Sequence, residues 1–275
     1  MKEIPLKIRR EISKYNPITT ESLTLYPIRV FEHDDFIIAK ESIEFLPQAL
    51  PVRLISKPLL SAFYALDIEL ISQGEKATGL FFKALLMLAL ALRIGEGEDI
   101  KDRVGRFKIS VSSDDPFTLK GISFLGNNDK EIKLSPVVFQ KIRPIIALQN
   151  GIEIYSDKVN PELIQAEKDI LSSKAIGLKA DFETLIHSVA AFSGRDESEI
   201  YDWPILKLNH RASSYKRAMD YMLHGIMEAQ GCKWKGGNPT PNPWYEKEEN
   251  TSESLIALSN FAGGEGEKAI KQAGF

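Results

Sequence analysis

The stretch LFFKALLMLALALRI, residues 80–94, constrains the fold most because it is the most apolar part of the chain. Its uninterrupted apolar run covers only residues 84–92, between Lys83 and Arg93. A helix that crosses a lipid bilayer needs about 20 consecutive apolar residues. We therefore expect residues 80–94 to form a buried helix in a water-soluble fold, without membrane insertion. The side chains expected in its core are Leu85, Leu86, Leu88 and Leu90.

Short strand signals lie between the helix signals of the N-terminal part. The run RFKISV alternates in the manner of a half-buried strand, with Phe107, Ile109 and Val111 on one face. Two more strand-like runs follow, so residues 104–134 are predicted to form an antiparallel β-meander. The short apolar run FIIA, residues 36–39, predicts a further strand.

Helix start and stop signals dominate the second half of the chain. Ser135-Pro136 and Asp181 each begin a predicted helix, because serine and aspartate accept hydrogen bonds from unpaired N–H groups of the first turn. Pro204 begins the longest helix, which runs to Gln230.

These signals together predict an α+β protein, with short strands, apolar helices and a β-meander followed by a mainly helical C-terminal part. We predict three segments along the chain. They are an α+β domain over 1–155, a helical domain over 156–245 that ends in a Gly/Pro/Trp segment, and an acidic polar tail over 246–275.

No motif in the sequence indicates a cofactor, a metal or a catalytic group. The glycine-rich run GGEGEKAI lacks the spacing of a phosphate-binding loop. His210 and His224 lie 14 residues apart, about 21 Å along one helix, and His33-Asp34-Asp35 is expected in a solvated loop. Cys232 is the single cysteine and has no partner for a disulfide or a zinc site. We predict a protein that is not an enzyme, although a catalytic site assembled in space remains a third alternative.

Nucleic-acid binding is the second alternative, despite a net charge of −3. Between Trp203 and Lys235, six basic residues stand against two acidic residues, Asp220 and Glu228. Such a local excess of positive charge is typical of a phosphate-contacting face. The basic candidates are Lys207, Arg211, Lys216, Arg217, Lys233 and Lys235.

The segment CKWKGGNPTPNPW, residues 232–244, follows the longest predicted helix. Each residue that precedes a proline avoids the α region, so the segment is extended before it meets a partner. Tryptophan is enriched at interaction hot spots. The candidate partner-contact residues are Trp234, Pro239, Pro241, Pro243, Trp244 and Tyr245. The alternative interpretation, that both tryptophans pack on the protein's own helices, stays open.

Three stretches carry a resemblance to a protein family. They are IKLSPVVFQKIRPIIALQNGIE, DFETLIHSVAAFSGRDESEIYDWPILKLNHR and GCKWKGGNPTPNPWYEKE. Over residues 20–245 the chain resembles tail and baseplate proteins of tailed bacteriophages and prophages of Gram-positive hosts, and is similar to tail assembly chaperones or baseplate-hub assembly proteins.

The resemblance implies a non-enzymatic protein that binds other tail or baseplate proteins and needs no cofactor. It implies a location in the host bacterial cytoplasm during assembly, or in the virion tail. It provides no catalytic residues and leaves the oligomeric state open.

Overall fold

The computed structural model describes residues 4–126, 130–154 and 181–231. Strands and helices are both present, with all the described strands in the N-terminal half and helices towards the C-terminus. The predicted α+β class is therefore confirmed.

Elements are numbered here over the described residues. The strands are β1 Ile18–Thr20, β2 Leu23–Leu25, β3 Lys108–Val111, β4 Leu119–Leu125 and β5 Glu131–Leu134. The helices are α1 Leu6–Ser13, α2 His33–Glu44, α3 Val52–Ile55, α4 Leu59–Ser72, α5 Leu80–Leu92, α6 Ile100–Gly105, α7 Pro136–Asn150, α8 Phe182–Ser193, α9 Glu197–Tyr201 and α10 Ile205–Ala229. Two single 3-10 turns lie in the N-terminal half: Val30–Glu32 between β2 and α2, and Pro47–Ala49 between α2 and α3.

The chain divides into two compact units. The described residues of the first unit are 4–126, 130–154 and 195–208, and those of the second are 181–194 and 209–231. Helix α10 thus begins in the first unit and ends in the second.

Helix α5 forms the centre of the first unit. Leu85, Leu86, Leu88 and Leu90 are all buried, which confirms the prediction for residues 80–94. A helix that is apolar around its whole circumference must be covered on every side. Helices α2, α4 and α6 and strand β2 provide that cover. No helix in the described parts of the chain is long and apolar enough to cross a membrane.

The strand predicted at residues 36–39 is wrong, because these residues form the middle of helix α2. Phe36, Ala39 and Ile43 are buried at helical spacing, and α2 packs on α5 through that face. Ile37 and Ile38 point away from it and are exposed. The run FIIA is apolar enough for a strand and too short to show a period, and the helical spacing appears only in which of its residues are buried.

The predicted β-meander is confirmed as the antiparallel sheet β3-β4-β5. The residues predicted for one half-buried face of β3 behave differently from each other. Phe107 is buried, whereas Ile109 and Val111 are exposed. Strand β3 lies at the edge of the sheet, and its register with β4 shifts between Ser110 and Val111. As an outer strand of this three-stranded sheet, β3 leaves Ile109 and Val111 uncovered.

The first turn of α5 is held by a side chain from α4. Asp67 is buried, and its Oδ1 accepts hydrogen bonds from the Thr78 hydroxyl at 2.6 Å and the Gly79 N–H at 3.1 Å. Its Oδ2 accepts from the Phe81 N–H at 3.1 Å. Gly79, the residue before the helix, provides no capping side chain. Asp67 therefore satisfies N–H groups that the helix itself leaves unpaired.

We expect Asp67→Ala to lower the free energy of unfolding by about 1–3 kcal/mol, because it leaves buried N–H groups without acceptors. Urea denaturation followed by circular dichroism measures this change. Glu75→Ala, an exposed carboxylate in the same connection, is the control and should change stability little. Equal effects of the two substitutions would contradict the capping role.

Candidate functional site

The start of helix α10 is fixed to the first unit by backbone hydrogen bonds. The Ile205 N–H donates to the Ile28 carbonyl at 2.9 Å, and the Val30 N–H donates to the Trp203 carbonyl at 2.8 Å. Pro204 precedes the helix, where a missing N–H is tolerated. Ile205 and Leu208 are buried. The beginning of the longest helix is thus part of a core.

Further along, α10 exposes an unusual number of large apolar side chains. Met219, Met222 and Ile226 are 48%, 57% and 55% exposed, and Tyr221 and Leu223 are also exposed. Large apolar patches on a protein surface typically mark an interaction site. Met219, Met222, Leu223 and Ile226 lie on one side of the helix, and we call the surface that these four residues form the apolar face of α10. Tyr221 points to the opposite side of the helix.

One residue of helix α8 extends this surface. The Phe192 ring lies 5.7 Å from the Tyr215 ring, centroid to centroid, in a tilted arrangement. Phe192 is itself exposed.

Helix α8 begins as predicted at Asp181, whose carboxylate accepts the Thr184 N–H at 2.6 Å. Hydrogen bonds from Thr184 hold the pKa of Asp181 below its usual range.

The basic residues proposed for nucleic-acid binding are spread around α10 rather than collected on one side. Successive residues of an α-helix are rotated by about 100°, so Lys207 and Arg211 share a face while Lys216 lies opposite Lys207. Arg217 points to yet another side. The Lys207 ammonium lies 3.9 Å from the centroid of the Trp203 ring. Lys233 and Lys235 lie outside the described residues.

The aromatic and proline candidates fall in the same undescribed stretch. Trp234, Pro239, Pro241, Pro243, Trp244 and Tyr245 all lie outside the described residues. Their role as partner contacts therefore stays a prediction.

Residues within the first stretch of the resemblance hold the fold together. The Arg143 guanidinium donates from Nε to the Ile43 carbonyl at 3.0 Å and from Nη2 to the Phe45 carbonyl at 2.7 Å. Asn150, which is buried, accepts the Ile28 N–H at 2.9 Å. These contacts tie helix α7 to the end of α2 and to the segment after β2, so this stretch of the sequence has a structural role.

A buried charged cluster lies on α6 and the start of α2. The Arg103 guanidinium is almost inaccessible and donates to Glu32 at 2.8 Å, to Asp35 at 3.3 Å and to the Ile94 carbonyl at 3.2 Å. Burial raises the pKa of Asp35, and the positive charge of Arg103 opposes that rise. The loop expected at His33-Asp34-Asp35 is wrong, since these residues begin α2. Because Arg103 on α6 contacts two separate segments, residues 32–35 and Ile94, the cluster works as a structural cross-link.

An open groove of about 430 Å³ lies beside helices α3 and α4. Its lining includes Arg53, Lys57, Glu69 and Phe117. Arg53 and Glu69 form an ion pair with each other, so their charges are mutually compensated. Among the described residues, no group of three or more His, Cys, Asp or Glu side chains is arranged to hold a metal ion.

The feature that sequence reasoning missed is the spacing of the apolar residues along α10. Met219, Met222 and Ile226 follow one another at intervals of three and four, which places them on one side of the helix. That signal was present in the sequence, but their exposure depends on the tertiary structure. Neither a protein-family model, nor a curated protein, nor a solved structure matches this chain.

Proposed function

We propose that this protein is a non-enzymatic component or assembly factor of a bacteriophage tail or baseplate, and that it acts through contacts with other proteins. The apolar face of α10 is the observation that supports action through protein contacts. The resemblance of the sequence to tail and baseplate proteins supports the assignment to a bacteriophage tail or baseplate. The protein then acts in the host cytoplasm during assembly or as a part of the virion tail.

The apolar face has the composition of an interface core. It offers two methionines, a leucine and an isoleucine, without a charged side chain among them. Interface cores are depleted of charged residues and enriched in aromatic residues and methionine. Flexible methionine side chains also adapt to irregular partner surfaces.

The aromatic and proline segment begins directly after this helix in the sequence. Its prolines restrict the backbone, so that little conformational entropy is lost when a partner orders it. Trp234 and Trp244 are the anchors of our proposal at its two ends.

We expect Trp244→Ala to weaken the binding of tail or baseplate partners by about 2 kcal/mol, or roughly 30-fold in affinity. The tagged chain would be co-expressed with the neighbouring tail genes in a Gram-positive host, and captured proteins would be quantified by mass spectrometry. Val52→Ala removes an 86% exposed apolar side chain elsewhere and is the matched control. The melting temperatures of both variants should equal that of the parent chain.

Two results would count against the proposal. One is a parent chain that captures no tail or baseplate protein. The other is a nanomolar complex with DNA at about 150 mM salt, which is the affinity of specific DNA-binding proteins. A lower melting temperature of Trp244→Ala, with capture retained in the cold, would instead assign Trp244 to the protein's own core.

A further inference from the structure

Eight apolar residues of α10 follow a seven-residue repeat along the whole helix. The intervals between them alternate strictly between three and four residues, which is the a and d pattern of a coiled coil. The a positions are Ile205, Ala212, Met219 and Ile226, and the d positions are Leu208, Tyr215, Met222 and Ala229.

This seam is covered at one end and open at the other. Ile205 and Leu208 are 3% and 0% exposed, whereas Met222 and Ile226 are more than half exposed. The repeat continues unchanged across this transition. A seam of this kind is stabilised when a second helix packs its own a and d side chains into it.

We propose that residues 212–229 of α10 pair with the same helix of a second copy of this chain in an antiparallel coiled coil. The inference rests on the proposed function, since it assigns a partner to the apolar face of α10. The apolar face of α10 is then buried in a homodimer.

The repeat is self-complementary in the antiparallel direction. In antiparallel pairs, each a position faces a d position of the other helix. A two-fold axis between Asp220 and Tyr221 satisfies this condition for three layers on each side of the axis, none of which contains a charged side chain. The layers are Met219 against Met222, Tyr215 against Ile226, and Ala212 against Ala229 of the second copy.

The charges beside the seam favour this direction. In a parallel pair in register, Arg211 at a g position would face Lys216 at the e position of the other copy, and two positive charges would repel. In an antiparallel pair g positions face g positions and e positions face e positions, so Arg211 and Lys216 of the second copy lie on opposite sides of the seam.

The remaining flanking positions also fit. Ala218 lies close to Gly225 of the second copy, and two small residues at g positions let the helices approach closely. Lys216 lies beside Leu223 of the second copy, where its aliphatic stem can cover the exposed leucine while its ammonium stays in water.

The first test measures the mass of the full-length chain over a range of concentrations by sedimentation equilibrium. A seam of two to three heptads should give a dimer with a dissociation constant of about 1–10 µM. Met222→Glu places carboxylates in the central layers and should raise that constant at least 30-fold. His224→Glu, on the far side of the helix, is the control and should dimerise as the parent does.

The second test distinguishes the two directions by cross-linking. Met219→Cys and Met222→Cys chains carry different tags, and Cys232 is replaced by serine in both. An antiparallel pair gives a disulfide mainly between the two different chains when they are mixed. Disulfides that join two Met219→Cys chains, or two Met222→Cys chains, indicate a parallel pair and overturn the proposal.

A parent chain that stays monomeric at about 100 µM, far above the expected dissociation constant, also overturns it. The chain's own apolar run LIALSNFA, residues 255–262, would then be the occupant to consider. Both tests use the purified chain without tail proteins. A monomer that still captures tail proteins rejects only the homodimer, whereas a dimer that captures none rejects only the proposed function.

Discussion

Replacing Arg103 by methionine is expected to lower the free energy of unfolding by about 3–5 kcal/mol, because it leaves a buried charge without its partner. Arg103 and Glu32 are both almost fully buried, and their side chains meet at 2.8 Å. The substitution retains most of the apolar stem of Arg103 but removes the guanidinium. Glu32 then loses its positive partner, and the Ile94 carbonyl loses a hydrogen-bond donor.

Urea denaturation of Arg103→Met measures this loss. Arg106→Met is the matched control, since Arg106 pairs with Glu98 at an exposed position, and it should have little effect. The double variant Arg103→Met/Glu32→Leu removes both buried charges, so it should recover a large part of the stability. A single variant as stable as the parent chain would show that the cluster is not a structural cross-link.

Leu86→Ala is expected to destabilise the protein by about 2–5 kcal/mol, the usual range for a leucine removed from a close-packed core. Leu86 is completely buried on α5. Its loss opens a cavity in the place where several helices converge, and rigid neighbours can close such a cavity only in part.

Thermal and urea denaturation give the change for Leu86→Ala. Leu6→Ala, at a position that is 64% exposed on α1, is the control with the same chemical change and should have a much smaller effect. An unchanged melting temperature for Leu86→Ala would mean that the side chain contributes nothing to the core, contrary to its burial.

The elements that the sequence predicted correctly depend on local signals. Almost all residues of α5 are apolar, so the helix has no polar side that could face water. Asp181 begins α8 because its carboxylate reaches a backbone N–H three residues later. The meander at 104–134 follows from alternating residues and short connections. Each of these signals acts over a few residues, so the sequence alone contains it.

The buried cluster could not be predicted in the same way. Arg103 and Glu32 are separated by 71 positions in the chain. Nothing in the local sequence around either residue distinguishes it from a charged residue on the protein surface. The strand predicted at residues 36–39 failed for a related reason. A run of four apolar residues fits either period, and only the packing of α2 on α5 selects the helix.

One part of the candidate site follows from the sequence, and another part follows only from the tertiary structure. The sequence by itself determined the spacing of Met219, Met222 and Ile226, because a helical period follows from the order of the residues. Only the tertiary structure decided that Leu208 is buried while these three side chains remain exposed. Burial depends on which distant segments pack on each turn of a helix, and the local sequence of that helix does not specify those segments.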